Sequence, residues 1–196
     1  MWRNTDDGYG WVAVVLHWLV AVVVVGLFAL GLWMVELTYY DPWYRRATDI
    51  HKGVGILLFL VMLARLGWQL ANPRPAPEST HSRLERVTSA ITHVLLYVLM
   101  FAVMTAGYLI SSADGRAIDV FGLFTVPPTI AGLPGQADIA GDVHLALAIA
   151  LIVLAGIHSL AALKHHFIDR DRTLSRMLGR RTPRPLRSNA NSRRGA

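Results

Sequence analysis

The chain has 196 residues, 54% of them hydrophobic and only 16% charged, and it contains no cysteine. That composition excludes an ordinary soluble domain, which does not need apolar runs as long as these. The missing thiols exclude disulfides, cysteine-bound iron–sulfur clusters and haem attached through C-x-x-C-H, so any redox group is held non-covalently, with histidine as the obvious ligand. The net charge of +6 is not a nucleic-acid signal: ten of the 19 Lys and Arg residues lie from Lys164 onward. A basic segment just after a membrane span sets topology or touches anionic lipid.

Four apolar runs are long enough to cross a bilayer as helices: about 10–35, 50–71, 87–111 and 141–167. The fold class they predict is all-α, an integral membrane four-helix bundle. The first run is too long for a signal-peptide core and is read as a retained helix. The loop after it, Glu36 to Asp49, holds Tyr39, Tyr40, Trp43 and Tyr44, which suit an interfacial belt. The connection NPRPAPESTHSRLER is a polar boundary; His81 in it has no evident role. The long connection Ser112 to Ala140 contains the turn signal SADG and the apolar piece VFGLFTVPPTIAGL, which reads as a lid lying on the membrane surface. Residues 1–178 form the membrane domain. Residues 179–196 read as a basic, disordered tail, and the stretch just after the last span as a short amphipathic helix.

Orientation follows from the basic residues. The N-terminal lead, the span 2–3 connection and the tail carry 14 Lys and Arg, against Arg45, Arg46 and Arg116 in the other two loops. Both termini are therefore expected in the cytoplasm, with the chain in a bacterial inner membrane.

Ionisable groups inside a span are costly and are functional suspects. The fourth span carries His144, His158, His165 and His166. His144 and His158 are 14 residues apart, which returns to nearly the same helix face roughly 21 Å further along. The same interval recurs on every span: His17 with Gly31, His51 with Arg65, and His93 with Gly107. The outer level then offers His51 and His144; the inner level offers His17, His93 and His158. Two stacked macrocycles need axial imidazoles from two helices and small residues where other helices press on their planes. Gly31 and Gly107, with help from Gly55, would give that clearance at the outer level. Arg65 would reach a propionate at the inner level. Singly, each histidine is as readily a packing residue, and Arg65 as readily snorkels; the joint pattern of depth and face is what favours two haems.

The stretches YGWVAVVLHW, DIHKGVG, THVLLYVLMFAVMTAGYLI, and DVHLALAIALIVLAGIHSLAALKHHF with the following DRDRTLSRM resemble the bacterial cytochrome b561 family over residues 9–178. FALGLWMV, YLISSADGR and ALKHHFID resemble the branch often encoded beside a periplasmic lipocalin-like isoprenoid-binding protein. The resemblance implies two non-covalent b-type haems. It assigns His17 and His158 to the inner iron and His51 and His144 to the outer one, and leaves His93 to bond a propionate or pack. It also implies exchange of electrons with a quinone such as ubiquinone.

One member type of that family oxidises superoxide, an anion that favours a positive outer mouth. Here the outer loops and helix starts carry seven acidic residues against Arg45, Arg46, Lys52 and Arg116, which argues against that activity. The expected function is electron transfer across the membrane, as a quinone oxidoreductase at most. The alternatives are an anchor delivering electrons from a separate oxidoreductase, or a haem-free transporter with a histidine proton path. His165 lies seven residues beyond His158 on nearly the same face, about 10.5 Å further along. With Lys164 it marks an expected quinone site at the inner mouth.

Overall fold

The computed structural model describes residues 1–78 and 80–179; the remainder of the expected basic tail lies outside the described residues. Four long helices carry the structure: α1 Trp11–Met34, α2 Tyr44–Leu70, α3 Arg83–Ser112 and α4 Gln136–Phe167. All four are long and apolar enough to cross a membrane. In hydrocarbon the backbone must satisfy its own hydrogen bonds, which makes helices even of the valine-rich first run. Large apolar side chains point outward on every helix, including Val22, Leu60, Val94 and Leu160. An outward apolar surface of this extent is matched to lipid, not water.

Three helices begin earlier than the apolar runs predict. α2 starts at Tyr44, inside the aromatic loop, so Arg45 and Arg46 are helical. α3 starts at Arg83, fixed by a capping box. Ser82 Oγ accepts from the Glu85 backbone N–H at 3.2 Å, and Glu85 accepts from the Ser82 N–H at 2.9 Å. α4 starts at Gln136, directly after Gly135, whose φ of 65° is the left-handed conformation that glycine adopts without cost.

α1 packs on α2 and α3 on α4; contacts of α2 with α3 and of α1 with α4 close the bundle. Its packed core is Val20, Leu58, Met62, Met100, Val103 and Leu151.

The long connection is neither helical nor featureless. β1 Ile118–Val120 and β2 Phe124–Val126 form an antiparallel hairpin, with Ile118 opposite Val126. Phe121 and Gly122 at its turn have φ of 55° and 71°, the left-handed pair that suits the twist of two strands. β1 packs against α2 and Val120 is fully buried. The hairpin packs on one end of the bundle through Ile118 and Val120, while Leu123, Ile130 and Leu133 stay exposed. Its far side is tied down by Tyr108, whose hydroxyl donates to the Pro127 carbonyl at 2.8 Å and accepts from the Thr129 N–H at 2.7 Å. Buried Gln136 donates to the carbonyls of Leu109 and Ile130.

Beyond α4 the chain turns back as α5 Thr173–Met177, the short helix expected there. The Trp18 indole N–H on α1 donates to the Met177 carbonyl at 2.8 Å. Buried Arg176 donates to the Ala76 carbonyl at 2.9 Å and meets Glu78 at 2.8 Å. The segment after α4 is thereby fastened to the α2–α3 connection.

Candidate functional site

α4 supplies an imidazole at each of two levels. At the level nearer the hairpin, His144 faces His51 of α2, with ring centroids 6.1 Å apart. At the level nearer the termini, His158 faces His17 of α1 at 6.4 Å. His93 of α3 stands beside His158 at 5.1 Å. Two imidazoles in line across one metal ion, with bonds of about 2.0–2.1 Å and rings of about 1.2 Å radius, have centroids about 6.3 Å apart. His51–His144 and His17–His158 have that spacing. His93–His158 falls about an ångström short of it.

The ring nitrogens carry further information. His144 Nδ1 lies 2.8 Å from the Val103 carbonyl. A carbonyl only accepts, so Nδ1 holds the hydrogen and Nε2 keeps a lone pair, as in imidazoles that bind metals through Nε2. His51 Nδ1 is buried without a hydrogen-bond partner. His17 differs. Its Nδ1 lies 3.0 Å from Nη2 of Arg65, and a guanidinium only donates, so here Nδ1 is the acceptor. Ligation through Nε2 of His17 therefore requires Arg65 to let go of the ring. Arg65 also lies over the Tyr97 ring, 5.6 Å from its centroid.

Gly31 and Gly107 each lie against an imidazole. A Cβ at Gly107 would come within 2.9 Å of the His144 ring, and one at Gly31 within 3.3 Å of the His51 ring. Gly55 has no such neighbour: a Cβ there meets nothing within 4 Å. The glycine of α2 under close approach is Gly53, where a Cβ would lie 2.7 Å from the Phe121 ring of the hairpin. Sequence spacing missed it because its partner is on a distant loop.

Between the two levels lies the packed core. Leu58, Met100 and Leu151 each sit seven residues from both members of the spaced pairs on their helices. They fill the middle of the bundle with apolar side chains, about 10.5 Å from either level.

The end near the termini holds a polar cluster that sequence spacing does not reveal. His165 points inward: its ring is 4.6 Å from that of His81, centroid to centroid. Its Nδ1 lies 2.8 Å from Asp169 and 2.9 Å from Asp171. His81, a residue without evident role in the sequence, bonds Asp171 through Nε2 at 2.9 Å. Burial alone would raise the Asp171 carboxyl, but the Thr173 N–H and His81 outweigh it and hold it below its usual range. Lys164 lies between Asp169 at 2.7 Å and Glu85 at 3.3 Å. It is therefore paired with carboxylates, while Arg65 lies beside His17.

Fold and site together define a multi-pass membrane protein with two cross-bundle histidine pairs stacked along its axis. The family model described as prokaryotic cytochrome b561 matches residues 8–180. Cytochrome b561 homolog 2 of Escherichia coli (strain K12) is 49% identical over 177 residues, covering 90% of this chain and 94% of the relative. A protein of Yersinia pestis named probable superoxide oxidase CybB is 30% identical, covering 87% of this chain and 95% of the relative. Cytochrome b561 homolog 1 of Escherichia coli (strain K12) is 25% identical, covering 85% and 94%. The chain belongs to the prokaryotic cytochrome b561 family and is a membrane electron-transfer protein. Membership implies b-type haem.

Proposed function

We propose that the protein carries electrons between the two faces of a bacterial inner membrane through two b-type haems, and exchanges them with a quinone. The observation that carries this reading is the pair of cross-bundle imidazole separations, 6.1 Å and 6.4 Å. His51 and His144 would hold one group and His17 and His158 the other. A b-type haem held by two histidines would supply one-electron transfer and would offer no open position to oxygen.

The chain's own residues set the conditions. Val103 fixes the His144 tautomer through its carbonyl. Gly31 and Gly107 leave the imidazoles of His51 and His144 the space to meet across the bundle. Leu58, Met100 and Leu151 exclude water between the levels. Arg65 supplies positive charge at the level of His17 and His158. The excess of Lys and Arg at the terminal end supports a cytoplasmic location for it. Lys164 and His165 lie at that end, and the quinone head group would dock there with His165 as its hydrogen-bond partner. The periplasmic isoprenoid-binding partner rests on sequence resemblance alone. The superoxide activity in the Yersinia relative's name is not carried over, because the hairpin end is acidic.

Counting haem tests the ligand sets. His51→Ala or His144→Ala should each leave a haem-to-protein ratio near one, as should His17→Ala or His158→Ala. His93→Ala should keep a ratio near two. A ratio near two in the His158→Ala protein would defeat the assignment.

A further inference from the structure

Of the polar cluster at the terminal end, the electron-transfer reading uses Lys164 and His165 but neither His81 nor Asp171. We propose that His81, His165 and Asp171 form a binding site for a divalent cation of the zinc class. His81 Nε2, His165 Nδ1 and a carboxylate oxygen of Asp171 all lie within 4.8 Å of one another. His81 Nε2 and His165 Nδ1 are each 2.9 Å from the same oxygen, Oδ2. A tetrahedral site with bonds of about 2.0–2.1 Å separates its ligand atoms by about 3.3 Å. Lengthening the two nitrogen–oxygen separations by about 0.4 Å, and bringing the two ring nitrogens from within 4.8 Å to about 3.3 Å, converts the cluster into three ligands with a fourth position for water.

A second observation points the same way. His165 Nδ1 is buried and makes no aligned hydrogen bond, although carboxylate oxygens of Asp169 and Asp171 lie 2.8 Å and 2.9 Å away. A ring nitrogen pressed against two carboxylates without a bond is unfavourable; a cation between them removes the conflict. The Asp171 side chain is only 2% exposed and its other oxygen is held by the Thr173 N–H at 2.8 Å, so the ligand oxygen is pre-oriented. Two imidazoles with one carboxylate select zinc, copper or nickel over magnesium or calcium.

A neighbouring triad, Glu85, His165 and Asp169, also brings three ligand atoms together. The Lys164 ammonium already sits between its two carboxylates. That triad holds a cation of its own and is the poorer metal site. Metal at the first triad would staple the α2–α3 connection to the end of α4. It would also fix His165 with its hydrogen on Nε2. His165 is shared with the proposed quinone site, whereas His81 and Asp171 belong to the cation site alone; with Nδ1 on the metal, the Nε2 hydrogen of His165 stays available to a quinone.

The test is zinc binding to untagged, haem-loaded protein in detergent. Calorimetry with zinc chloride, and zinc counted by mass spectrometry after dialysis, should give a single strong site per chain. His81→Ala, His165→Ala and Asp171→Asn should each weaken binding about tenfold or more. His166→Ala, next to the cluster but not in it, should bind as the unaltered chain does. Visible spectra confirm that each variant has folded. His81→Cys, which replaces imidazole by a thiolate ligand, should restore binding lost in His81→Ala. No zinc bound by the unaltered chain overturns the site, as does binding by the His81→Ala and His165→Ala proteins equal to that of the unaltered chain.

Discussion

Nη2 of Arg65 on α2 lies 3.0 Å from Nδ1 of His17 on α1, so a half-buried guanidinium donates to a ring nitrogen of a candidate ligand. Seen along the helix, Arg65 is the residue 14 positions after His51, the place that α4 fills with His158. The pairing fits the imidazole of His17 to Arg65 in one tautomer, and binding through Nε2 requires the other.

Arg65 therefore should act on the potential of one centre only. A positive charge beside a haem favours its reduced form. Arg65→Gln is expected to lower the midpoint potential of the haem at the His17–His158 level by about 60 mV, a tenfold change in a one-electron equilibrium. The other haem should move little, since the apolar core separates the levels. Redox titration followed by visible absorbance reads both. A shift confined to the His51–His144 haem would contradict the placement.

Adding one methyl group separates the glycines. In Gly107→Ala the new Cβ would meet the His144 ring at 2.9 Å, and in Gly31→Ala it would meet His51 at 3.3 Å. Gly107→Ala should displace the imidazole and reduce haem content at that level. Gly31→Ala should do so more weakly, and Gly55→Ala, open within 4 Å, not at all. Haem-to-protein ratios in the three proteins check the order. Loss of haem in Gly55→Ala alone would refute the proposed clearances.

At the terminal end, His165→Ala removes the proposed quinone contact but lies 10.5 Å or so from the His158 level. It should keep both haems and slow their oxidation by added quinone about tenfold, within the range of general acid–base effects. Stopped-flow absorbance of the reduced protein measures it. An unchanged rate with unchanged quinone affinity would remove His165 from the quinone site.

Topology has its own readout. Reporter fusions after Gly179 should report cytoplasm, and fusions within Thr125 to Gly135 should report periplasm. The opposite pattern would exchange the two faces while leaving the histidine pairs as they are.

Relationships along a single helix are legible in the amino-acid sequence. Lipid forces a spanning backbone to bond to itself, so apolar runs near 11–34 or 141–167 have one outcome open to them. Within such a helix the 100° rotation per residue sets face and depth, so the spacing of His144 and His158 is already a geometric statement. The four spans, the two levels and the candidate residues at each follow from that local geometry. How His17 and His93 stand to His158 does not: their ring separations of 6.4 Å and 5.1 Å depend on the rotation of α1 and α3 about their axes, which side-chain packing sets. Nor does spacing reveal the close approach at Gly53, since the ring of Phe121 reaches it from a hairpin far along the chain. The cluster of His81, His165 and Asp171 is likewise decided in three dimensions. Its members are up to 90 residues apart, and only the folding of the chain after α4 back onto the α2–α3 connection places their polar atoms within hydrogen-bonding distance.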